Sequence, residues 1–367
     1  MTINIGMIGA GWRAEFFLRI AQALPEQFNL PRVLVRNPEK AERFAAAWQV
    51  ETVQTLDDLL KPNDLDFVIV SVPWAVSPVM LRELADRNMP ALAETPPGPD
   101  LDGLIALHEL TKRGAKIQVA EQYQFQPAHA ARLALARSGK LGTVTQAQVS
   151  AAHGYHGINL IRGLLGVEFE EVTIRAFTFE SPLVTSPNRN GPPEEESLST
   201  SKQTIAYLDY GDKLGVFDFT GDQYFSWIRS PRILVRGERG EINNTTVRYL
   251  QDFKTPVEME LRRIHAGQDG NLEGYYFKGL LLGDEWVVRN EFAPARLADD
   301  EIAIAHCMQQ MMSYINGGPG YCSLAQGSQD HYLSLMINRA VETGKRCAVH
   351  GRCGLSKCVS TKAILPN

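Results

Sequence analysis

The hydrophobic and polar positions divide the chain into two parts of different rhythm. Over the first part, short continuous apolar runs alternate with stretches of helical spacing. The runs are Ile3–Ile8, Leu30–Val35, Phe67–Val72, Pro90–Ala93 and Ile117–Ala120. Wholly apolar runs predict parallel strands covered on both faces. Between them, Phe16, Phe17, Ile20, Ala21 and Leu24 recur at the spacing of one helix face. Glu39–Trp48, Pro78–Asp86 and Leu101–Lys112 also read as helices. Strand and helix alternating in this way predict a doubly wound parallel α/β sheet.

After Pro127 the rhythm changes. A helix over Ala128–Arg137 leads through Gly139 and Gly142 to an alternating run, Thr143–Ser150, and a short helix follows around Gly157–Leu165. Further alternating runs occupy Glu171–Phe179, Lys202–Tyr210, Lys213–Thr220 and Arg232–Arg236. Period-two alternation predicts a mixed or antiparallel sheet with one solvated or interface face. Ser181–Ser201, with Pro182, Pro187, Gly191, Pro192, Pro193 and Glu194–Glu196, predicts a long mobile loop. Helices are expected over Leu297–Ile315 and Ser328–Thr343. A length of 367 residues exceeds what one core usually serves. The expected division is 1–122, 123–346 and a tail, 347–367.

Composition narrows the classes. Charged residues at 22% and hydrophobic ones at 44% are ordinary for a soluble globular chain. A net charge of −5 argues for neither nucleic acid nor an anionic membrane as partner. No apolar run approaches the roughly 20 residues of a membrane span, and the apolar start reads as a first strand rather than a signal peptide. Five cysteines are too few for a disulfide scaffold, so a reducing cytoplasm is expected. Cys347, Cys353 and Cys358, with His350 among them, are spaced C-x5-C-x4-C, which matches no common zinc pattern. Incidental thiols are expected there, in a tail that is poorly ordered or lies over another part of the protein. No catalytic metal is expected.

The candidate chemistry begins at the first strand. Gly9-x-Gly11-x-x-Ala14 follows it directly and opens an apolar helix, the layout of a dinucleotide-binding turn. Gly9 permits the tight turn, Gly11 the approach of a pyrophosphate, and Ala14 close packing of helix on sheet. The helix start then offers free N–H groups to phosphate oxygens. An acid at the end of the second strand would hold the ribose hydroxyls of NAD, but Val35-Arg36-Asn37 stands there. Arg36 suits the 2′-phosphate of NADP. The plainer alternative is a solvent-exposed arginine, which leaves NAD open.

GMIGAGWRA at the start, VIVSVPWAVSP at Val68–Pro78, AETPPGPDL at Ala93–Leu101, AEQYQFQP at Ala120–Pro127 and GKLGTV at Gly139–Val144 occur in a telling order. HGINLIRGLLG at His156–Gly166 and RGERGEI at Arg236–Ile242 continue it. Together they resemble the glucose–fructose oxidoreductase, inositol dehydrogenase and MocA (Gfo/Idh/MocA) family of NAD(P)-dependent oxidoreductases. The resemblance implies an N-terminal Rossmann domain and a C-terminal α/β domain with a large open sheet, whose back usually forms a dimer or tetramer interface. It also implies cofactor contacts at Gly9, Gly11, Trp12, Arg13, Arg36, Val72, Pro73, Trp74, Glu94 and Gln122. The departures are pointed. The family's Glu-Lys-Pro is Glu94-Thr95-Pro96 here, so threonine stands in place of the catalytic lysine. An expected Asn is Trp74, and an Asp four residues before the active-site histidine is Ala152. That histidine is retained as His156, and the acid three residues later is Asn159.

Oxidising an alcohol with a nicotinamide needs a hydride acceptor and a base for the hydroxyl proton. A threonine hydroxyl is far too weak a base, so Thr95 is expected to position substrate and His156 to carry the proton. His153, Tyr155, Asn159 and Tyr123 are the expected substrate contacts. Asp222, Tyr224, Trp227 and Arg229 suit either a sugar ring or a sheet surface. Three readings follow: a dehydrogenase of a sugar, polyol or glycoside; a redox-assisted glycoside lyase that recycles its cofactor; and a non-catalytic dinucleotide and sugar sensor or partner subunit.

Overall fold

The computed structural model describes residues 2–350. Its first part runs β1 (Ile3–Ile8), α1 (Ala14–Ala23), β2 (Phe28–Leu34), α2 (Pro38–Trp48), β3 (Glu51–Val53), α3 (Leu56–Leu60), β4 (Phe67–Val70), α4 (Ser77–Asp86), β5 (Ala91–Ala93), α5 (Leu101–Lys112) and β6 (Ile117–Val119). The strands pair in parallel in the order β3-β2-β1-β4-β5-β6, a doubly wound sheet that reverses direction beside β1. β4 and β5 are buried at every position, which is why their sequences are unbroken apolar runs. Phe17, Phe28 and Phe67 fill the core against β1. α2 starts where Asn37 Oδ1 accepts the Lys40 N–H at 2.8 Å, with Pro38 in the first turn.

The second part runs through a 3₁₀ turn (Tyr123–Phe125) to α6 (Pro127–Arg137), β7 (Val144–Ser150) and α7 (Gly154–Leu165). β8 (Val172–Val184), β9 (Leu198–Asp209), β10 (Leu214–Thr220), β11 (Arg232–Gly237), β12 (Gly240–Asn243), β13 (Thr246–Leu250), β14 (Pro256–His265), β15 (Phe277–Leu282) and β16 (Glu285–Arg289) follow. α8 (Asp299–Ile315), α9 (Leu324–Thr343) and β17 (Cys347–Val349) complete it. Eleven strands form one mixed sheet, β16-β15-β14-β13-β12-β11-β7-β10-β9-β8-β17. Among the described residues of this sheet, only β7 and β10 pair in parallel. α6, α7 and α9 pack on one face. On β8 and β9, Phe177, Phe179 and Tyr207 remain largely exposed.

The second part reaches back to close the first. The β6 edge is covered by the approach to α9: Val119 N–H donates to the Cys322 carbonyl at 2.8 Å. Gln118 Oε1 accepts the N–H groups of Tyr321 and Cys322 at 3.0 and 3.1 Å. α8 packs on α1 and on the 3₁₀ turn.

Three expectations change. Ser181–Ser201 is not one long loop, because β8 and β9 pair continuously from Thr173↔Asp209 to Val184↔Leu198. Past Ile174, β8 is an edge strand, where a proline such as Pro182 is tolerated. Only 185–197 lies outside the hairpin strands. The sheet also continues past 346, since Cys347–Val349 pairs with β8. Finally, the strands do not stop at the predicted run Arg232–Arg236 but continue as β12 to β16, of which β15 is strongly apolar. β14 is exposed or half-buried at nearly every position, so its alternation lies among polar side chains. Cys353 and Cys358 lie outside the described residues.

Candidate active site

The carboxyl ends of β1, β2, β4 and β5 open onto a cleft of about 930 Å³, bounded on its far side by the start of α7. Of the residues singled out in the sequence, Gly9, Gly11, Trp12, Arg13, Arg36, Val72, Pro73, Trp74, Glu94, Thr95, Gln122, Tyr123, His153, Tyr155 and His156 all line it. Asn159 does not.

At the β1–α1 turn the two glycines do different work. Gly9 has φ +110°, and a β-carbon there would lie 1.9 Å from the Ser71 carbonyl oxygen. A β-carbon on Gly11 would meet no atom within 4 Å. The space in front of Gly11 belongs to the cleft, and the start of α1 faces it. Buried polar atoms also lack partners here: one guanidinium nitrogen of Arg13 and the side-chain oxygen of Gln122. Arg36 is exposed, and the one hydrogen bond its guanidinium makes among the described residues is to Met80 Sδ at 3.6 Å. The open space at Gly11 and the unpartnered atoms of Arg13 and Gln122 fit a dinucleotide, which the Gly9–Arg13 turn, Arg36, Trp74, Thr95 and Gln122 would hold.

Arg13 holds the floor together. Its Nε donates to Glu94 Oε1 at 3.0 Å and its Nη1 to Asp300 Oδ2 at 3.0 Å. Burial works against its charge, but the two carboxylates keep its pKa above the ordinary arginine value. Gln122 and Gln126 donate to Asp300 Oδ1 at 3.5 and 3.4 Å. Asp300 was not singled out in the sequence, where it reads only as one of three acids opening a helix.

Deeper in the cleft, His156 Nδ1 lies 2.6 Å from Glu121 Oε2. Both side chains are almost wholly buried, at 6% and 2% exposure. Burial pushes the Glu121 carboxyl up to about 8. Burial, aided by the nearby Arg13 cation, pushes His156 down to about 3. The pair therefore favours a single proton shared between neutral groups over an imidazolium beside a carboxylate. Glu121 Oε1 also accepts the Tyr123 N–H at 3.1 Å. The sequence offered no signal for Glu121 beyond its place in AEQYQFQP.

A second proton-bearing chain crosses the cleft. Tyr224 Oη accepts from Tyr123 Oη at 3.3 Å and from the His153 N–H at 3.0 Å. Its own proton then points to His153 Nδ1, 2.6 Å away. His153 Nε2 contacts Tyr155 Oη at 3.3 Å, and that hydroxyl donates to the Thr95 carbonyl at 3.5 Å. Burial, with His156 nearby, lowers His153 to about 4, so it stands neutral between two phenols. His153 takes the N-cap position of α7, which sets it beside His156 with ring centroids 4.9 Å apart. Tyr224 thus belongs to the cleft, whereas Asp222 binds the hydroxyls of Ser201 and Thr220 at 2.5 and 2.7 Å and Trp227 is 78% exposed.

Asn159 is a correction. Its side-chain N–H donates to Asp330 Oδ2 at 2.8 Å. Arg162 engages the other oxygen of the same buried carboxylate. A buried ion pair needs its remaining lone pairs satisfied, and Asn159, outside the cleft lining, is committed to that.

Comparison with known proteins agrees with this geometry. Residues 3–122 match the model of the Gfo/Idh/MocA oxidoreductase family, NAD-binding Rossmann fold. This segment is a Gfo/Idh/MocA-family domain. Beyond the domain, inositol 2-dehydrogenase 4 of Saccharopolyspora erythraea is 26% identical over 197 residues, covering 47% of this chain and 57% of that protein. The chain thus spans about half the length of the curated relatives it matches. The two-part fold recurs in a levoglucosan dehydrogenase solved with NADH and levoglucosan, at TM-score 0.67 and 14% identity, covering 95% of this chain and all (100%) of the other. It recurs also in a putative myo-inositol dehydrogenase from Sinorhizobium meliloti 1021, at TM-score 0.62 and 18% identity, with 95% and 100% covered. At these identities the Gfo/Idh/MocA likeness of the second part is one of fold. Among the described residues, no helix is long and apolar enough to cross a membrane.

Proposed function

We propose that this chain is an NAD(P)-dependent oxidoreductase acting on a hydroxyl of a sugar, polyol or glycoside. The observation that carries the reading is one cleft lined by both the Gly9–Gly11 turn and His156, with buried Glu121 bonded to that imidazole from behind. The solved neighbour with NADH and levoglucosan supports a sugar-like substrate. Arg36, paired with no carboxylate among the described residues and beside the second strand, favours NADP over NAD.

A bound nicotinamide supplies the hydride acceptor. The chain's own part is the proton. With Glu121 ionised, His156 Nδ1–H donates to it and Nε2 is left to take the substrate hydroxyl proton. As Nε2 gains that proton, Nδ1 passes its own to Glu121. The imidazole is neutral before and after, as its lowered pKa requires, and the proton ends on a carboxyl whose pKa of about 8 suits the task. Run backward, the same pair delivers a proton to a carbonyl oxygen. Tyr155, with its ring centroid 4.4 Å from that of His156 and its hydroxyl on the Thr95 carbonyl, positions the sugar together with Thr95. Trp74, half exposed at the rim, offers a flat apolar face for a ring.

Fluorescence titration with NADPH and NADH, followed by turnover with a panel of sugars and polyols, tests the reading. Binding with sugar-dependent change in free cofactor is the expected result. Binding with turnover but no net cofactor change would select the redox-assisted lyase, and binding with neither the sensor. No dinucleotide binding would overturn the reading.

A further inference from the structure

The tip of the β8–β9 hairpin does not end in solvent. Arg189, within the 185–197 connection, lies with its guanidinium carbon 3.7 Å from the ring centroid of Trp12. It lines the same cleft as Gly11. Trp12 is the residue between the second glycine of the turn and Arg13, and more than half of it remains exposed. Stacking occupies the face of a guanidinium and leaves its edge, with five N–H donors, free to bond. Among the described residues no carboxylate or carbonyl engages that edge, although Glu194–Glu196 follow only a few positions later. The cationic side chains around this end are Arg13, Arg36, Lys40 and Arg189. Arg13 is already neutralised by Glu94 and Asp300.

We infer that Arg189 is a dinucleotide-phosphate ligand delivered by the second domain's hairpin, with Trp12 as the platform that orients it over the glycine turn. The inference rests on the dinucleotide reading above. Its chemistry is that of a planar, permanently charged fork meeting an anionic diphosphate. The hairpin thereby roofs the site: the strands bring the arginine from the large sheet, and a cofactor leaves only after the Arg189–Trp12 stack separates. Because Arg189 faces the glycine turn and not the ribose side, it acts on NADH and NADPH alike, in contrast to Arg36.

The test measures Kd and dissociation rate for NADH and NADPH with the full chain, R189A, R189K and G11V, together with Tm without cofactor. Arg189 is exposed, so R189A is expected to keep the unliganded Tm. Loss of one charged hydrogen-bonding fork should weaken both cofactors about tenfold, mostly through faster release. R189K should recover part of the affinity, and R189A should show a shallower dependence of Kd on salt. R189A binding both cofactors as the parent does, while G11V abolishes binding, overturns this inference and leaves the dinucleotide reading intact. A lowered Tm with unchanged Kd gives Arg189 a merely docking role and overturns it too. Failure of the parent chain to bind either cofactor sinks both.

Discussion

Glu121 Oε2 and His156 Nδ1 stand 2.6 Å apart with both side chains shut away from solvent. Burial pushes the carboxyl up, to about 8, and the imidazole down, to about 3, which favours one proton held between two neutral groups over an ion pair at neutral pH.

The pH dependence of alcohol oxidation follows. The productive form has Glu121 ionised, so the rate should rise as pH rises through about 8. Carbonyl reduction needs the carboxyl protonated and should fall over the same range. Glu121→Gln cannot take the relayed proton. It should lower kcat for oxidation about 100-fold and flatten the step, with cofactor Kd unchanged. A kcat–pH profile of both forms decides it, and an unaltered step in the glutamine variant would remove Glu121 from the reaction.

The two glycines of the turn should respond oppositely to the same change. Gly11→Ala meets no protein atom, so Tm should hold while dinucleotide Kd rises, because the added methyl enters the space a pyrophosphate needs. Gly9→Ala strikes the Ser71 carbonyl at 1.9 Å from a backbone at φ +110°. It should cost about 3 kcal/mol or more. Paired thermal melts and titrations read both; equal effects of the two substitutions on Tm would contradict the geometry.

How much of this was legible depended on what each residue answers to. The glycine turn and its flanking strand and helix were plain, because a buried parallel strand and a tight turn each constrain sequence locally. Leu101–Lys112 was placed to the residue. His153 and His156 were legible together because α7 puts them one turn apart. Glu121 was not, because its partner lies 35 positions away and burial is a property of the assembled fold. Asp300 was hidden for the same reason, being 287 positions from Arg13. Asn159 misled because helical spacing from His156 says nothing about which neighbour, here Asp330, its amide serves.

Arg36 should decide between the cofactors. Arg36→Ala removes an exposed cation held only by a weak contact to Met80 Sδ, so stability should not change. NADPH affinity should fall about tenfold and NADH affinity should stay. Matched titrations measure the ratio, and loss of both affinities in equal measure would argue that Arg36 meets the pyrophosphate instead.

Thr95→Lys places an amine where the family pattern carries one. The Thr95 carbonyl still accepts from Tyr155, so the backbone need not move. A second proton acceptor in the cleft should raise turnover of a simple polyol and weaken its dependence on Glu121. Steady-state rates of T95K, alone and combined with E121Q, test this; no gain in either background would mean that position 95 does not reach the reacting hydroxyl.

The hydrogen bonds that seal β6 have a bearing on how the protein comes into being. The strand that ends the Rossmann sheet waits for Tyr321, Cys322 and Ser323, made some 200 residues later. During synthesis this edge stands bare until the chain has emerged past residue 323, and an open strand edge invites pairing with other chains. A gene fragment ending near residue 122 would release that exposed edge permanently, so the dinucleotide domain is not a portable module even though its sequence motif is self-contained.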